Sequence, residues 1–113
     1  MMKIYHNPRC RKSRETLALL EDNGIKPEIV LYLDQPLSRA ELQNLLKKLD
    51  LLPSEVVRKE EQLFKDSYKG KALSETEWLD VLLEHPRLMQ RPIVVRGERA
   101  VLGRPPEKAL ELL

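Results

Sequence analysis

The chain has 113 residues, 42% of them hydrophobic and 34% charged, with a net charge of +2 at neutral pH. That length suits one domain whose core needs neither disulfide nor metal, and no apolar run approaches the roughly 20 residues of a membrane span. Cations and anions alternate along most of the chain and aromatics make up 4%, so neither nucleic acid nor membrane is an expected partner.

In chain order, "KIYH" is short, apolar and followed by Asn-Pro, as a first strand would be. From Lys12 the period becomes helical, with Thr16, Leu17 and Leu20 on one face and Asn23-Gly24 as a stop. "EIVLYL" at 28–33 is a β-branched run that predicts a second strand, parallel to the first and buried on both faces. "SRAELQNLLKKLD" opens with Ser38 and Glu41 at capping-box spacing and carries Leu42, Leu45, Leu46 and Leu49 on one face. "PSEVVRKEEQLFKDSY" predicts one or two short helical turns, and Ser74 with Glu77 predicts a second capping box before a helix that Pro86 ends. "PIVVR" and "AVLG" around Gly97-Glu98 predict an antiparallel hairpin, and "PPEKALELL" a closing helix. The order βαβ, helical insert, ββα predicts an α/β fold: a four-stranded mixed sheet flanked by helices, in thioredoxin-like order. A single domain over 1–113 is expected, with the insert at about 38–86.

The sole cysteine, Cys10, falls at the junction of the first strand and first helix, among Arg9, Arg11, Lys12 and Arg14. One cysteine makes no internal disulfide, and "MMKIYHNPRC" lacks the apolar stretch of a secretory signal, so a cytoplasmic location is expected. The unpaired N–H groups of a helix start favour a thiolate, the four cations act in the same direction although water screens them, and cysteines so placed have pKa values of roughly 3.5–7.5 in place of about 8.5. "CRKS" puts Ser13 where a dithiol oxidoreductase has its resolving cysteine, so a Cys10 adduct must be resolved by another molecule's thiol. The cysteine-phosphatase loop is excluded, because Thr16 occupies the position six residues after the cysteine where that loop needs arginine. His6 and His85 show no metal-ligand spacing with Cys10, and no metal is expected. His6 lies four residues before Cys10, where it can influence the thiolate or simply bond a backbone carbonyl.

"YHNPRCRKSRETL", "VVRK" at 56–59, "RPIVV" at 91–95 and "GRPPE" at 103–107 together resemble the arsenate reductase (ArsC) family, of the glutaredoxin-linked, thioredoxin-like type. The resemblance runs over essentially the whole chain. It implies Cys10 as the nucleophile that attacks arsenate, and His6 as the neighbour that favours its thiolate. It implies Arg58, Arg91 and Arg104 as the arginines that gather the oxyanion, and Pro92 as a cis-proline facing the cysteine. It further implies arsenate or a similar oxyanion as substrate, glutathione as co-substrate, glutaredoxin as reducing partner, no bound cofactor, a monomer, and a role in arsenic detoxification. Arg11 stands where the family commonly has glycine, and Gly103 where some members have cysteine. The Arg11 side chain is expected near the pocket rim. Weak arsenate reduction that Arg11→Gly improves is expected, as a side chain closing over the pocket implies; a side chain turned outward makes the same change neutral or harmful. Two alternatives keep the fold. One is a general glutathione-linked monothiol oxidoreductase. The other is an Spx-like regulator that binds RNA polymerase, which the missing C-x-x-C disfavours.

Overall fold

The structure is a computed structural model and describes residues 2–113. The chain forms two compact units: one holds the residues up to Gln35 together with Arg91–Leu113, the other is Pro36–Gln90.

The first unit is built on β1 (Met2–Tyr5), α1 (Arg11–Asp22), β2 (Glu28–Val30), β3 (Ile93–Arg96), β4 (Arg99–Leu102) and a closing 3-10 helix, Pro106–Leu112. The sheet order is β2-β1-β3-β4. β1 runs parallel to β2, with Ile4 beside Ile29, and antiparallel to β3, with Ile4 beside Val94. β3 and β4 are the expected hairpin, closed by Gly97 at φ 61, a left-handed conformation that a two-residue turn requires. Met2, Ile4 and Val94 from the sheet, Leu20 from α1, and Ala109 and Leu112 from the closing helix form one buried cluster. Burial of that face is what fixes α1 and the closing helix against the sheet. The α/β class and the four-stranded mixed sheet are those read from the sequence.

The second strand is shorter than its sequence suggested. It ends at Val30, with Leu31–Gln35 in a turn, and it is not buried on both faces: Ile29 is 46% exposed. The cause is position, because β2 is an edge strand paired only with β1. The closing helix is also of the tighter 3-10 type, following Pro105 and Pro106.

The second unit contains α2 (Arg39–Leu49), α3 (Gln62–Ser67) and α4 (Glu75–Glu84), with 3-10 turns at Pro53–Val56 and Pro86–Leu88. Both predicted capping boxes form, Ser38 with Glu41 and Ser74 with Glu77. Leu42, Leu45 and Leu46 of α2 are buried, as are Trp78, Leu79, Val81 and Leu82 of α4. Phe64 stacks on Trp78 with ring centres 6.0 Å apart. An isolated bridge pairs Val57 with Met89, and the Arg58 N–H donates to Leu88 O at 2.6 Å.

Candidate active site

After β1 the backbone turns sharply, and Asn7 makes the turn. Its side-chain Oδ1 accepts from the Arg9 N–H at 3.0 Å, and its carbonyl accepts from the Cys10 N–H at 3.0 Å. This side-chain mimicry of a backbone turn is the usual role of asparagine before a helix. The His6 N–H, still on the strand line, donates to Val30 O at 2.8 Å. Cys10 then caps α1 with extended backbone angles, φ −95 and ψ 122, and its carbonyl accepts the first helical bond from the Arg14 N–H.

The half-buried Cys10 thiol has its pKa lowered. Burial alone raises it, but that effect is outweighed by the Ser13 N–H, by a hydrogen bond and the charge from Arg91, and by the Lys12 N–H. The orphan amides of the first turn thus act as the sequence suggested. The nearby cations do not. Arg11 pairs with Glu15 at 3.0 Å with its side chain 85% exposed, and Arg14 donates to Pro8 O at 2.9 Å. Exposed charges directed elsewhere are screened by water, and the cation that reaches the sulfur is Arg91, 81 positions along the chain.

His6 and Ser13 form a buried pair. His6 Nδ1 lies 2.6 Å from Ser13 Oγ, and the same hydroxyl accepts from the Asn7 N–H at 3.0 Å. Burial, and then the Arg14 charge, lower the His6 pKa, so the ring is neutral at neutral pH. His6 is therefore tied to the turn through Ser13 and places no positive charge beside the sulfur. The sequence marked Ser13 only as a missing cysteine; its place at the first turn of a helix after an Asn-Pro turn was the available signal for a turn-binding hydroxyl. A cavity of about 260 Å³ adjoins this turn, lined by His6, Asn7, Pro8, Arg9, Leu31, Leu33 and Asp34.

Arg91 precedes β3, and the Arg91–Pro92 bond is cis. Its Nε and Nη1 are buried and have no hydrogen-bond partner among the described residues. Buried guanidinium nitrogens are normally paired, since each unpaired one costs about 1–3 kcal/mol. Arg91 therefore presents unused donors next to a thiolate, a geometry that suits an oxyanion. Arg104 follows Gly103 in the loop after β4, and the Arg104–Pro105 bond is also cis, for which there was no sequence signal. Arg58 lies in the second unit, where its Nη1 donates to Glu61 Oε2 at 2.9 Å and its Nε lies 3.4 Å from Glu60. His85 follows α4, 3.8 Å from a Glu84 oxygen. Among the described residues no three His, Cys, Asp or Glu side chains cluster as a metal site would require, and no helix is long and apolar enough to cross a membrane.

Relatives give this arrangement a family. The chain is 48% identical to an uncharacterized protein, YfgD, of Escherichia coli strain K12, over 99% of this chain and 96% of that protein. It is 47% identical to an arsenate reductase of Haemophilus influenzae over 97% of each. Among solved structures, an arsenate reductase from Vibrio cholerae superposes with a TM-score of 0.93 at 46% identity, covering 99% of this chain and 97% of that one. Residues 5–112 match the family's sequence pattern, and the chain belongs to the ArsC family.

Proposed function

We propose that the protein is a glutathione- and glutaredoxin-dependent arsenate reductase that works through the Cys10 thiolate. The observation that carries this reading is the pairing of a cysteine whose pKa is lowered with Arg91, whose buried Nε and Nη1 have no hydrogen-bond partner among the described residues. The relatives from Haemophilus influenzae and Vibrio cholerae are named arsenate reductases, and the tetrahedral arsenate anion suits a guanidinium fork. In the reaction, the Cys10 sulfur attacks arsenic and a sulfur–arsenic bond replaces one arsenic–oxygen bond, the oxygen leaving as water after protonation. Arsenic is still pentavalent. A glutathione thiolate then attacks the Cys10 sulfur. The new disulfide takes the sulfur, the electron pair of the sulfur–arsenic bond stays on arsenic, and arsenite leaves. Glutaredoxin attacks the glutathione sulfur and returns the Cys10 thiolate. With a single cysteine in the chain, both later thiols come from other molecules. In this reading Arg91 and Arg104 hold the oxyanion, and neutral His6 keeps the cysteine turn in place through Ser13.

The reading is tested by arsenate-dependent NADPH oxidation in the presence of glutathione, glutaredoxin and glutathione reductase. Turnover that needs both arsenate and glutaredoxin supports it. Robust reduction of a small disulfide with no arsenate-dependent turnover transfers the assignment to a general monothiol oxidoreductase.

Arg11 has an expected result of its own in the same assay. Its side chain is turned along α1 to Glu15 and stands in solvent, so it does not close over the cysteine. Arg11→Gly is expected to leave kcat/KM for arsenate within about twofold, since a rim charge in water is worth little. Thermal unfolding should show a loss of about 1 kcal/mol, from glycine in a helix plus the lost ion pair. A marked gain in arsenate turnover contradicts the outward placement.

A further inference from the structure

Thr16 is fully buried on α1, one and a half turns beyond Cys10, and no step above uses it. Its hydroxyl has two acceptors, Lys12 O within the helix at 2.9 Å and Gly103 O in the loop after β4 at 3.2 Å. The second links positions 87 residues apart. The Gly103 N–H in turn donates to Pro92 O at 2.9 Å. One residue, Gly103, is thus bound through its carbonyl to the helix that carries Cys10 and through its N–H to the segment that carries Arg91, and Arg104 is the next residue.

Packing at this point is as close as the chain permits. A Cβ on Gly103 would lie 2.9 Å from Pro92 Cγ and from both Thr16 Cγ2 and Oγ1, distances that real Cβ atoms essentially never show. The close approach of backbone to two side chains therefore demands glycine here. A threonine hydroxyl inside a helix usually bonds only the carbonyl four residues back. Here it is shared with a distant strand-end loop, and both Thr16 and Gly103 are buried, where an unmet polar group is costly.

We propose that Thr16 and Gly103 form a positioning knot: the hydroxyl–carbonyl bond fixes the Arg91 and Arg104 segments against the cysteine helix, and so sets the oxyanion affinity of the site. Neither residue touches the anion. The proposal rests on the reading that Cys10, Arg91 and Arg104 bind an oxyanion. Removing the hydroxyl leaves the first-turn amides that lower the Cys10 pKa in place, because they belong to α1 itself. It loosens only the loops that bring the arginines.

The test is protection of Cys10 from iodoacetamide by arsenate, measured on the wild type, Thr16→Val, Thr16→Ser and Gly103→Ala, with turnover followed in parallel. Thr16→Val is nearly isosteric, and circular dichroism is the check that it folds. The expected result is an alkylation rate without arsenate that moves less than in Arg91→Met, because the first-turn amides stay in place while Arg91 is only loosened, and a rise of up to about tenfold in the arsenate concentration for half-protection, the most that one hydrogen bond supplies. Thr16→Ser should restore the wild-type value, and Gly103→Ala should weaken protection at least as much as Thr16→Val. A merely structural role would lower the melting temperature without moving half-protection. Wild-type protection in Thr16→Val, or a loss that Thr16→Ser does not restore, overturns the knot. Protection without turnover in the wild type overturns arsenate reduction and leaves the knot standing. No protection of the wild type at millimolar arsenate overturns both.

Discussion

Cys10→Ser is expected to bring arsenate-dependent NADPH oxidation to background while the protein stays folded. Serine at the same position has no accessible anion near neutral pH, so neither the amides of the first turn nor Arg91 can make it a nucleophile. The stability side of the prediction follows from the helix start. Cys10 is the N-cap of α1, and although the Ser13 and Lys12 N–H groups act on its sulfur, it accepts no hydrogen bond of ordinary capping geometry. Serine is among the preferred residues there, so the melting temperature should hold or rise slightly. In the wild type, the iodoacetamide rate against pH should have its midpoint clearly below the roughly 8.5 of a free cysteine. The sign of the linked stability is fixed by the lowered pKa. The thiolate's contribution is complete above the unfolded pKa and is lost as pH falls through the folded one. The stability difference between wild type and Cys10→Ser should therefore move in the wild type's favour as pH rises. A midpoint at or above that of a free cysteine contradicts the assignment, as does retained turnover in Cys10→Ser.

What was legible in the sequence was local. Capping boxes at Ser38 and Ser74, the Asn23-Gly24 stop and the Gly97-Glu98 turn each depend on residues within four positions, and each forms. The place of Cys10 at the head of α1 is of the same kind. The extent of β2 was not legible, because "EIVLYL" has the composition of a buried strand whatever its neighbours, and only the sheet order makes it an edge. Charge was visible but direction was not. Four cations around Cys10 predicted a cationic environment, yet Arg11 and Arg14 bond to Glu15 and Pro8. The spacing of Arg11 and Glu15, four apart on a helix, was in fact a readable sign of the first of these. The meeting of Arg91 with Cys10 was reachable only through the family resemblance, since no periodicity links residues on different elements. The Thr16–Gly103 bond had no sequence signal beyond a glycine before Arg104.

Arg91 should give the second large effect, and its sign differs between stability and activity. Its Nε and Nη1 are buried without a hydrogen-bond partner among the described residues, so in the absence of an anion they carry the desolvation cost of unpaired charged donors. Removing these two nitrogens relieves that cost, and the relief offsets the hydrogen bond and charge lost to Cys10. Arg91→Met, which keeps an unbranched apolar side chain of similar reach, is thus expected to be at least as stable as the wild type without added anion. Sulfate, arsenate or phosphate should raise the melting temperature of the wild type by mass action and do so far less in Arg91→Met. Activity should move the other way. Loss of one preorganised donor to an oxyanion centre reduces turnover by about 10²–10³-fold. Arg91→Lys separates charge from shape: a point cation retains part of the effect on Cys10, while the fork that binds two oxygens is gone. The iodoacetamide midpoint should accordingly rise in Arg91→Met and rise less in Arg91→Lys, whereas kcat/KM for arsenate should fall steeply in both. Differential scanning fluorimetry with and without sulfate, run beside the coupled assay, reads every arm. Equal anion stabilisation of wild type and Arg91→Met would place the oxyanion elsewhere in the protein. A stability loss of several kcal/mol in Arg91→Met without anion would mean that the guanidinium is satisfied by its own fold, and Arg91 would then be a structural cation.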